Sequence, residues 1–465
     1  MKNLTYIDLF SGAGGLSVGF SREGFHLLMA NDIDNQALDT LRHNLSHIHS
    51  ETDTSHIIHG DITELYKHLG GKKVKEKFLG HKTVITDKSL QIKKRAPNSS
   101  HPEVEAFLNS LSSCDVVAGG PPCQGFSMIG RSKRGNLEDR TQGFIDDPRN
   151  TLFSYYLKFV EKLNPKIVLI ENVKGLKSAS GYQDLIKISL EKTGNKYNVE
   201  SVIFNAKDFG VPQNRERIFF IGIRSDFAKA KNITPQKVID NIKKSIKNNK
   251  KVFLKDAISD LPIIIANPKP NNYDESKEIS FSSKSCFGMN ESDLQYDKLI
   301  NKSNCKEYRN LINTIGYKQI TVKHLSNHKA RYNNSRDLFI YKNLNAGKYL
   351  TDPSNKKALS KVTYGKKRLD GTIEITSFAD KYFKLDADNF SKTIIAHLET
   401  DGNSFVHPTQ TRSITPREAA RIQSFPDWYF FTGSLRNQFK QIGNAVPPLL
   451  AAAIAKEFKS ILMKV

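Results

Sequence analysis

The chain has little cysteine, no long apolar run and a deficit of acidic residues. Its four cysteines are widely spaced and form no CxxC pair, which argues against a disulfide framework or a zinc site, so no metal is expected. No apolar run is long enough to span a bilayer, and no compelling amphipathic basic helix is present. Met1–Phe10 lacks the features of a secretory signal, so we expect a cytoplasmic protein with no membrane partner.

The deficit of acid makes the chain strongly basic. Lys and Arg number 70 against 48 Asp and Glu, which gives a formal charge of +22. With membrane binding disfavoured, such a charge favours nucleic acid as the partner and predicts binding that weakens steeply with salt. A lysine bias that serves only solubility is the alternative.

Short apolar runs alternate with helical patterns from Thr5 to Ile223. This alternation predicts an α/β fold, a doubly wound and mostly parallel sheet covered by helices. A lysine-rich segment at about 66–113 interrupts it and is expected to be an insertion or a solvated loop. A second, smaller, irregular domain is expected to follow. Order returns near Thr411, where Thr415, Pro416 and Glu418 predict a capped helix.

A glycine-rich turn follows the first predicted strand. Phe10, Gly12 and Gly14 lie between that strand and a helix, the context of a nucleotide-binding turn. Asp32 ends the next strand, where an acid can accept hydrogen bonds from ribose hydroxyls, and Asp61 ends the third. The three strand ends therefore predict one ligand crevice. A tight turn without a ligand is the alternative.

Cys123 lies in the segment DVVAGGPPCQGFS, directly after a short apolar strand, two glycines and two prolines. The prolines stiffen the backbone and the glycines permit a tight exit from the strand, so the thiol is held at the edge where α/β sheets bind ligands. This placement suits a nucleophile. On this segment alone a buried structural thiol is equally compatible.

Eight motifs in order make the chain resemble the DNA (cytosine-5)-methyltransferases. They are DLFSGAGGLSVGF, NDID, GDI, GGPPCQGFS, ENV, QNRERIFFIG, TPREAARIQSFPD and QIGNAVPPLLAAAIA. The resemblance implies an S-adenosylmethionine-dependent methyltransferase fold. It assigns 1–224 to the catalytic and cofactor-binding domain, 225–390 to target recognition, 391–435 to a hinge return segment, and 436–465 to a helix that packs back on the catalytic domain.

The resemblance also implies the catalytic residues. Cys123 is the nucleophile that attacks C6 of cytosine, and Glu171 contacts the ring nitrogen and amino group. Arg215 and Arg217 support the reaction. The target base must be flipped out of the duplex to reach them. The following loop is expected to hold DNA phosphates through the residues Ser127, Arg131, Lys133 and Arg134.

S-adenosyl-L-methionine is the cofactor that the resemblance implies. Its expected contacts come from six short segments of the chain, which lie far apart in sequence. They are Phe10, Gly12, Gly14, Asp32, Ile33, Asp61, Ile62, Pro122, Leu152, Asn444 and Ala445.

The implied function is methyl transfer to C5 of a cytosine in a specific duplex DNA sequence, by a monomer on double-stranded DNA. The family relation also implies a restriction-modification system, with a cognate restriction endonuclease as a genetic and not a physical partner. A tRNA cytosine-5 methyltransferase, a nucleotide-binding dehydrogenase and a non-catalytic DNA-binding relative are the alternatives. The long basic region at 225–390 favours DNA, because duplex recognition needs side chains for base edges.

Overall fold

The structure is a computed structural model that describes residues 3–48, 56–68, 77–78, 81–82, 102–122, 152–175, 182–266, 305–315, 318–322, 324–362, 366–367, 373–374 and 381–464. The chain divides into two compact units. The first contains 1–208, 216–248 and 450–465, and the second contains 209–215 and 249–449. The chain therefore passes twice into the second unit and returns twice to the first.

A seven-stranded sheet forms the centre of the first unit. Its strands are β1 (Leu4–Leu9), β2 (Phe25–Asp32), β3 (Ile57–His59), β4 (Val116–Gly119), β5 (Ile167–Val173), β6 (Tyr197–Asn205) and β7 (Glu216–Arg224). Their spatial order is β3-β2-β1-β4-β5-β7-β6. Neighbours from β3 to β5 run parallel, whereas β7 is antiparallel to both β5 and β6. The predicted α/β class with a mostly parallel sheet is confirmed.

Helices follow most of these strands. They are α1 (Gly15–Arg22), α2 (Asn35–Ile48), α3 (Ile62–His68), α4 (Pro102–Ser110), α5 (Leu152–Leu163), α6 (Tyr182–Lys192), α7 (Ser225–Ala230) and α8 (Pro235–Ile246). The strands β4 and β5 read VVAG and IVLI at their buried positions, as expected for strands covered on both faces. Tyr156 of α5 bonds through its hydroxyl to the carbonyls of Val117 and Leu169, at 3.1 Å each, which fixes that helix across the sheet.

The alternation along the sequence identified every strand of this sheet except β6. That strand, YNVESVIFN, mixes polar and apolar residues, and its burial is correspondingly uneven. An edge strand needs only one neighbour and leaves part of its surface in water, so its sequence carries a weaker apolar signal. Within the lysine-rich segment at 66–113, the described parts include the end of α3, the helix α4 and two short paired strands at 77–78 and 81–82.

The described part of the second unit contains short helices and long stretches without regular secondary structure. The helices are α9 (Leu254–Ile258), α10 (Lys306–Ile312), α11 (Ser335–Asn343), α12 (Lys356–Leu359), α13 (Pro416–Ile422) and α14 (Leu435–Asn444). The strands described in this unit are two residues long and include the parallel pair Gln213–Asn214 and Ser391–Lys392. The capped helix that the sequence predicts is confirmed in α13, where Thr415 and Glu418 complete a capping box and Pro416 is the first helical residue.

The last helix, α15 (Pro448–Met463), joins the first unit from residue 450 onward. There, Phe458 packs against Phe20 with ring centroids 6.3 Å apart, and Lys459 donates to the carbonyl of Glu23 at 2.8 Å. Burial of its apolar residues explains why this helix carries so few charges.

Candidate active site

The glycine turn after β1 is held in a conformation that needs its glycines. Phe10, Gly12 and Gly14 have φ values of 59°, 53° and 77°. Among the described residues, apart from the two chain neighbours of Gly12, no atom lies within 4 Å of the position that a Cβ on Gly12 would occupy, so the turn leaves open space above its backbone. A left-handed non-glycine residue such as Phe10 is strained, and such strain collects at ligand sites. This open turn fits a bound nucleoside cofactor.

Asp32 and Ile33 lie at the end of β2 beside this turn. The Asp32 carboxylate accepts from the backbone N–H of Gly12 and of Asp34, both at 2.8 Å, and so joins the turn to the second strand. The side chain of Ile33 is 51% exposed, which is unusual for so apolar a residue at the end of a buried strand. An exposed isoleucine at this edge suits an apolar ring surface. The residues present here fit S-adenosylmethionine.

Asp61 follows β3 and is only partly buried. Its carboxylate accepts from the backbone N–H of Thr63 at 2.9 Å at the start of α3. The structure thus brings Phe10, Gly12, Gly14, Asp32, Ile33 and Asp61 to one edge of the sheet. By contrast, Ile62 and Leu152 are 2% and 8% exposed and belong to the hydrophobic core.

The exit of β4 approaches both neighbouring strands closely. A Cβ on Gly119 would lie 2.4 Å from the carbonyl oxygen of Leu9, and one on Gly120 would lie 3.1 Å from Oε2 of Glu171. Glycine is therefore required at the first position and favoured at the second. The buried Asn172 donates through Nδ2 to the carbonyl of Pro121 at 3.0 Å. Strand β5 thus fixes the backbone immediately before Pro122. Asn172 was not among the predicted site residues, although the ENV motif contains it.

Glu171 and Arg217 form an ion pair across β5 and β7. Nε of Arg217 lies 3.1 Å from Oε1 of Glu171, and the two side chains are 15% and 13% exposed. Phe219 pairs with Glu171 in the antiparallel register, which places Arg217 diagonally opposite the carboxylate on the same face. Burial lowers the pKa of Arg217, and the neighbouring Glu171 opposes that shift. The guanidinium therefore holds the Glu171 carboxylate beside Gly120.

Arg215 does not share this arrangement. It is 1% exposed and donates to the main-chain carbonyls of Ile394, Gly443 and Ala445 at 2.9, 3.0 and 3.1 Å. Arg215, Asn444 and Ala445 all belong to the second unit, whereas Arg217 and Glu171 belong to the first. The two arginines predicted to act together thus have different partners.

Cys123, Ser127, Arg131, Lys133 and Arg134 lie outside the described residues. The two cysteines that the structure describes are buried thiols, and burial raises the pKa of both Cys114 and Cys305. Neither is suited to act as a thiolate. In the part of the chain that the structure describes, no cluster of three or more His, Cys, Asp or Glu side chains could hold a metal ion.

A comparison of the sequence with known protein families agrees with the motifs, the fold and the geometry at this edge of the sheet. Residues 4–76 and 88–460 match the model of the C-5 cytosine-specific DNA methylases. The chain belongs to this family. The methylase accordingly transfers a methyl group from S-adenosylmethionine to C5 of cytosine in DNA, which excludes the dehydrogenase alternative and favours DNA over tRNA.

Curated relatives match the methylase over nearly its whole length. The type II methyltransferase M.AgeI of Thalassovita gelatinovora is 32% identical and covers 97% of this chain and 98% of its own. M.Bpa9945I of Bacillus paralicheniformis is 29% identical, with 98% of both chains covered. Among solved structures, a proposed DNA modification methyltransferase encoded within an E. coli prophage has the same fold, with a TM-score of 0.58, 24% identity, and coverage of 99% and 100%. No helix among the described residues has the length and apolarity to cross a membrane.

Proposed function

We propose that the chain is the modification methylase of a type II restriction-modification system, acting in the cytoplasm as a monomer on a specific duplex DNA sequence. The relatives with nearly full-length matches are type II methyltransferases, and this supports the assignment. A cognate restriction endonuclease is then the genetic partner, with no physical contact required. The second unit is the part of the chain proposed to recognise the target sequence.

Cys123 is proposed as the nucleophile that makes C5 of cytosine reactive. Its thiolate adds to C6, the C5–C6 double bond breaks, and the electron pair shifts toward the ring nitrogen next to the amino group. Glu171 is proposed to hold the proton at that nitrogen, so that C5 acquires enamine character. S-adenosylmethionine supplies an electrophilic methyl group when bound. Loss of the C5 proton then restores the double bond as the sulfur leaves C6.

One observation carries this assignment of roles. The Glu171 carboxylate is held by Arg217 at 3.1 Å and faces Gly120, while Asn172 anchors the carbonyl of Pro121. Pro121 is two residues before Cys123. An ionisable carboxylate and the backbone that leads to the nucleophile are therefore fixed by neighbouring residues of one strand, as a covalent catalyst with a proton donor requires.

The cofactor is proposed to bind at the glycine turn. Phe10, Gly12 and Gly14 would approach it through their backbone, Asp32 would accept hydrogen bonds from the ribose, and Ile33 would contact the adenine. The proposed set further includes Asp61, Ile62, Pro122, Leu152, Asn444 and Ala445. Contacts from Ile62 and Leu152 would come from the backbone, because both side chains are buried.

The target base must leave the duplex for C6 to reach a thiol, because a stacked base shields both faces of its ring. The basic segment after Cys123 is proposed to hold the phosphates of the distorted DNA backbone through Ser127, Arg131, Lys133 and Arg134.

The test uses the Cys123→Ser variant of the full chain, with Cys114→Ala as the matched control. We expect wild type and the control to transfer labelled methyl groups to duplex DNA, and Cys123→Ser to bind DNA without transfer. DNA with 5-fluorocytosine should become covalently attached to wild type, because fluorine blocks the elimination step. Methyl transfer by Cys123→Ser would refute the mechanism. Sequencing the methylated positions in a host that expresses the protein would identify the target.

A further inference from the structure

Arg215 is a completely buried cation whose described partners are main-chain carbonyls. Nη1 donates to Ile394, and Nη2 donates to both Gly443 and Ala445, at distances of 2.9 to 3.1 Å. A planar guanidinium can donate hydrogen bonds to several carbonyls in fixed, different directions, whereas an ammonium group lacks this fixed geometry. The contacts therefore join the strand region near Ile394 to the end of α14.

The segment that Arg215 holds is the C-terminal end of α14. The last carbonyls of a helix have no donor within the helix and must be satisfied from elsewhere. Ala445 is the C-cap residue, with an extended backbone, and its carbonyl accepts from Arg215. Without such a donor, the turn that follows Asn444 would lose part of its support.

Two further contacts fix the same turn. Nε2 of Gln423 donates to the carbonyl of Ile442 at 2.8 Å, and Gln423 is itself bonded to Gln213 at 2.9 Å. A Cβ on Gly443 would lie 2.4 Å from the carbonyl carbon and oxygen of Ile395, so the helix end packs directly on the backbone there. Asn444, by contrast, is exposed. Hydrogen bonds and backbone packing thus hold the turn, and Asn444 is its exposed residue.

We propose that Arg215 is a positioning residue for cofactor binding, which sets the main-chain turn at Asn444 and Ala445, and is not a group that acts on the cytosine. This inference rests on the proposed function, in which Asn444 and Ala445 contact S-adenosylmethionine. Arg217, only two residues away, has the other role because its partner is Glu171. The QNRER motif thus supports cofactor binding with its first arginine and base chemistry with its second.

The experiment compares Arg215→Lys with Arg217→Lys in the full chain. For Arg215→Lys, we expect the Kd for S-adenosylhomocysteine, measured by calorimetry, to rise by about tenfold, while kcat at saturating S-adenosylmethionine is retained. For Arg217→Lys, we expect the opposite division, with an unchanged Kd and a lower kcat. Arg436→Gln, at an exposed arginine on α14, is the control and should behave as wild type.

A second variant covers the case in which Arg215→Lys does not fold. Gln423→Met removes the donor to Ile442 and leaves no buried charge unpaired, and it should raise the same Kd by a smaller factor. The inference is overturned if Arg215→Lys keeps the wild-type Kd and loses kcat, or if Gln423→Met lowers thermal stability without changing the Kd. Failure of the proposed function is distinct, because wild type itself would then transfer no methyl group to DNA.

Discussion

Glu171 and Arg217 illustrate how a catalytic pair is set by strand register. The residues belong to antiparallel neighbours, β5 and β7, and their diagonal positions bring the guanidinium to the carboxylate on one face. Both groups are largely withdrawn from water, so each depends on the other for its charge. An exposed ion pair nearby does not need its partner in this way, because water stabilises both of its charges. Lys174 and Glu216 also pair, but on the surface.

Proton transfer to the base is expected to depend on Glu171. Glu171→Gln keeps the size of the side chain but removes the carboxylate that holds the proton at the ring nitrogen, so kcat for methyl transfer should fall on the order of 100-fold or more. Single-turnover transfer to duplex DNA measures the effect. Glu216→Gln is the control, because Glu216 precedes Arg217 in β7 and its side chain is 38% exposed. Equal rates for Glu171→Gln and the control would remove Glu171 from the chemistry.

At the scale of elements, α13 combines a predicted cap with a buried ion pair. Glu418 accepts from the Thr415 N–H at 2.8 Å in the capping box. The same carboxylate accepts two bonds from Arg412, at 2.6 and 2.8 Å, with both side chains essentially inaccessible. Arg412 holds the pKa of Glu418 well below its usual range, against the opposing effect of burial. A helix cap that looks local in sequence is thus also a tertiary anchor.

Glu418→Gln should destabilise the second unit by about 3–5 kcal/mol, because it leaves the buried Arg412 without its counter-charge. Unfolding in urea, followed by fluorescence of Trp428, measures this. Trp428 is the single tryptophan of the chain and belongs to the second unit. Glu307→Gln removes a pair with Lys250 in which both side chains are 74% exposed, and it should cause no resolvable loss of stability. Similar losses in the two variants would contradict the anchoring role of Glu418.

In the molecule as a whole, part of the positive charge is buried and cannot contact an acidic partner. Four arginines of the basic excess, Arg215, Arg412, Arg417 and Arg421, are at most 1% exposed. Their partners are carbonyls and buried acids such as Glu418, Asp260 and Asp427. These arginines stabilise the second unit and are not exposed to phosphates. The formal charge of +22 therefore predicts an acidic partner, but not which residues touch it.

The pH dependence of stability also follows from the buried interior. His328 lies between the Pro262 carbonyl and the Thr415 hydroxyl, at 3.0 Å from each. Because a carbonyl can only accept, Nε2 carries the proton and Nδ1 accepts from Thr415 in the neutral ring. Burial is the main cause that lowers the pKa of His328 to about 4, against the opposing effect of Glu418. The folded unit therefore keeps this ring neutral at mildly acidic pH.

Below its ordinary pKa of 6.5, His328 gains a proton in the unfolded chain but not in the folded unit until about pH 4. Stability should thus fall as the pH drops through this window, by about 2 kcal/mol at pH 5. Urea unfolding followed by Trp428 fluorescence at pH 7.5 and 5 tests this. His328→Gln, which can still donate to Pro262, should lose less stability between the two pH values. An equal loss in both proteins would show that other groups titrate.

Much of the first unit was predictable because its pattern is local and repeated. Apolar runs such as IVLI in β5 identify buried strands, and the glycines after β1 identify the turn. The edge strand β6 was not predicted, since its residues are mixed. Neither the antiparallel direction of β7 nor the partner of Arg217 follows from composition. The burial of Arg412, Arg417 and Arg421 in the second unit was also not predicted, because an arginine in an amphipathic pattern is ordinarily solvated.

The chemistry that the chain can offer, and the local turns that carry it, follow from the residues of short segments. The eight motifs, the glycine turn and the cap of α13 depend on residues a few positions apart, whose conformational preferences act wherever the segment is placed. Tertiary structure alone decided the partners of those groups. Arg215 reaches Gly443 across 228 residues, and Arg217 reaches Glu171 through a strand register. Two arginines in one short motif acquire different surroundings, because partners distant in sequence become neighbours only when the chain folds.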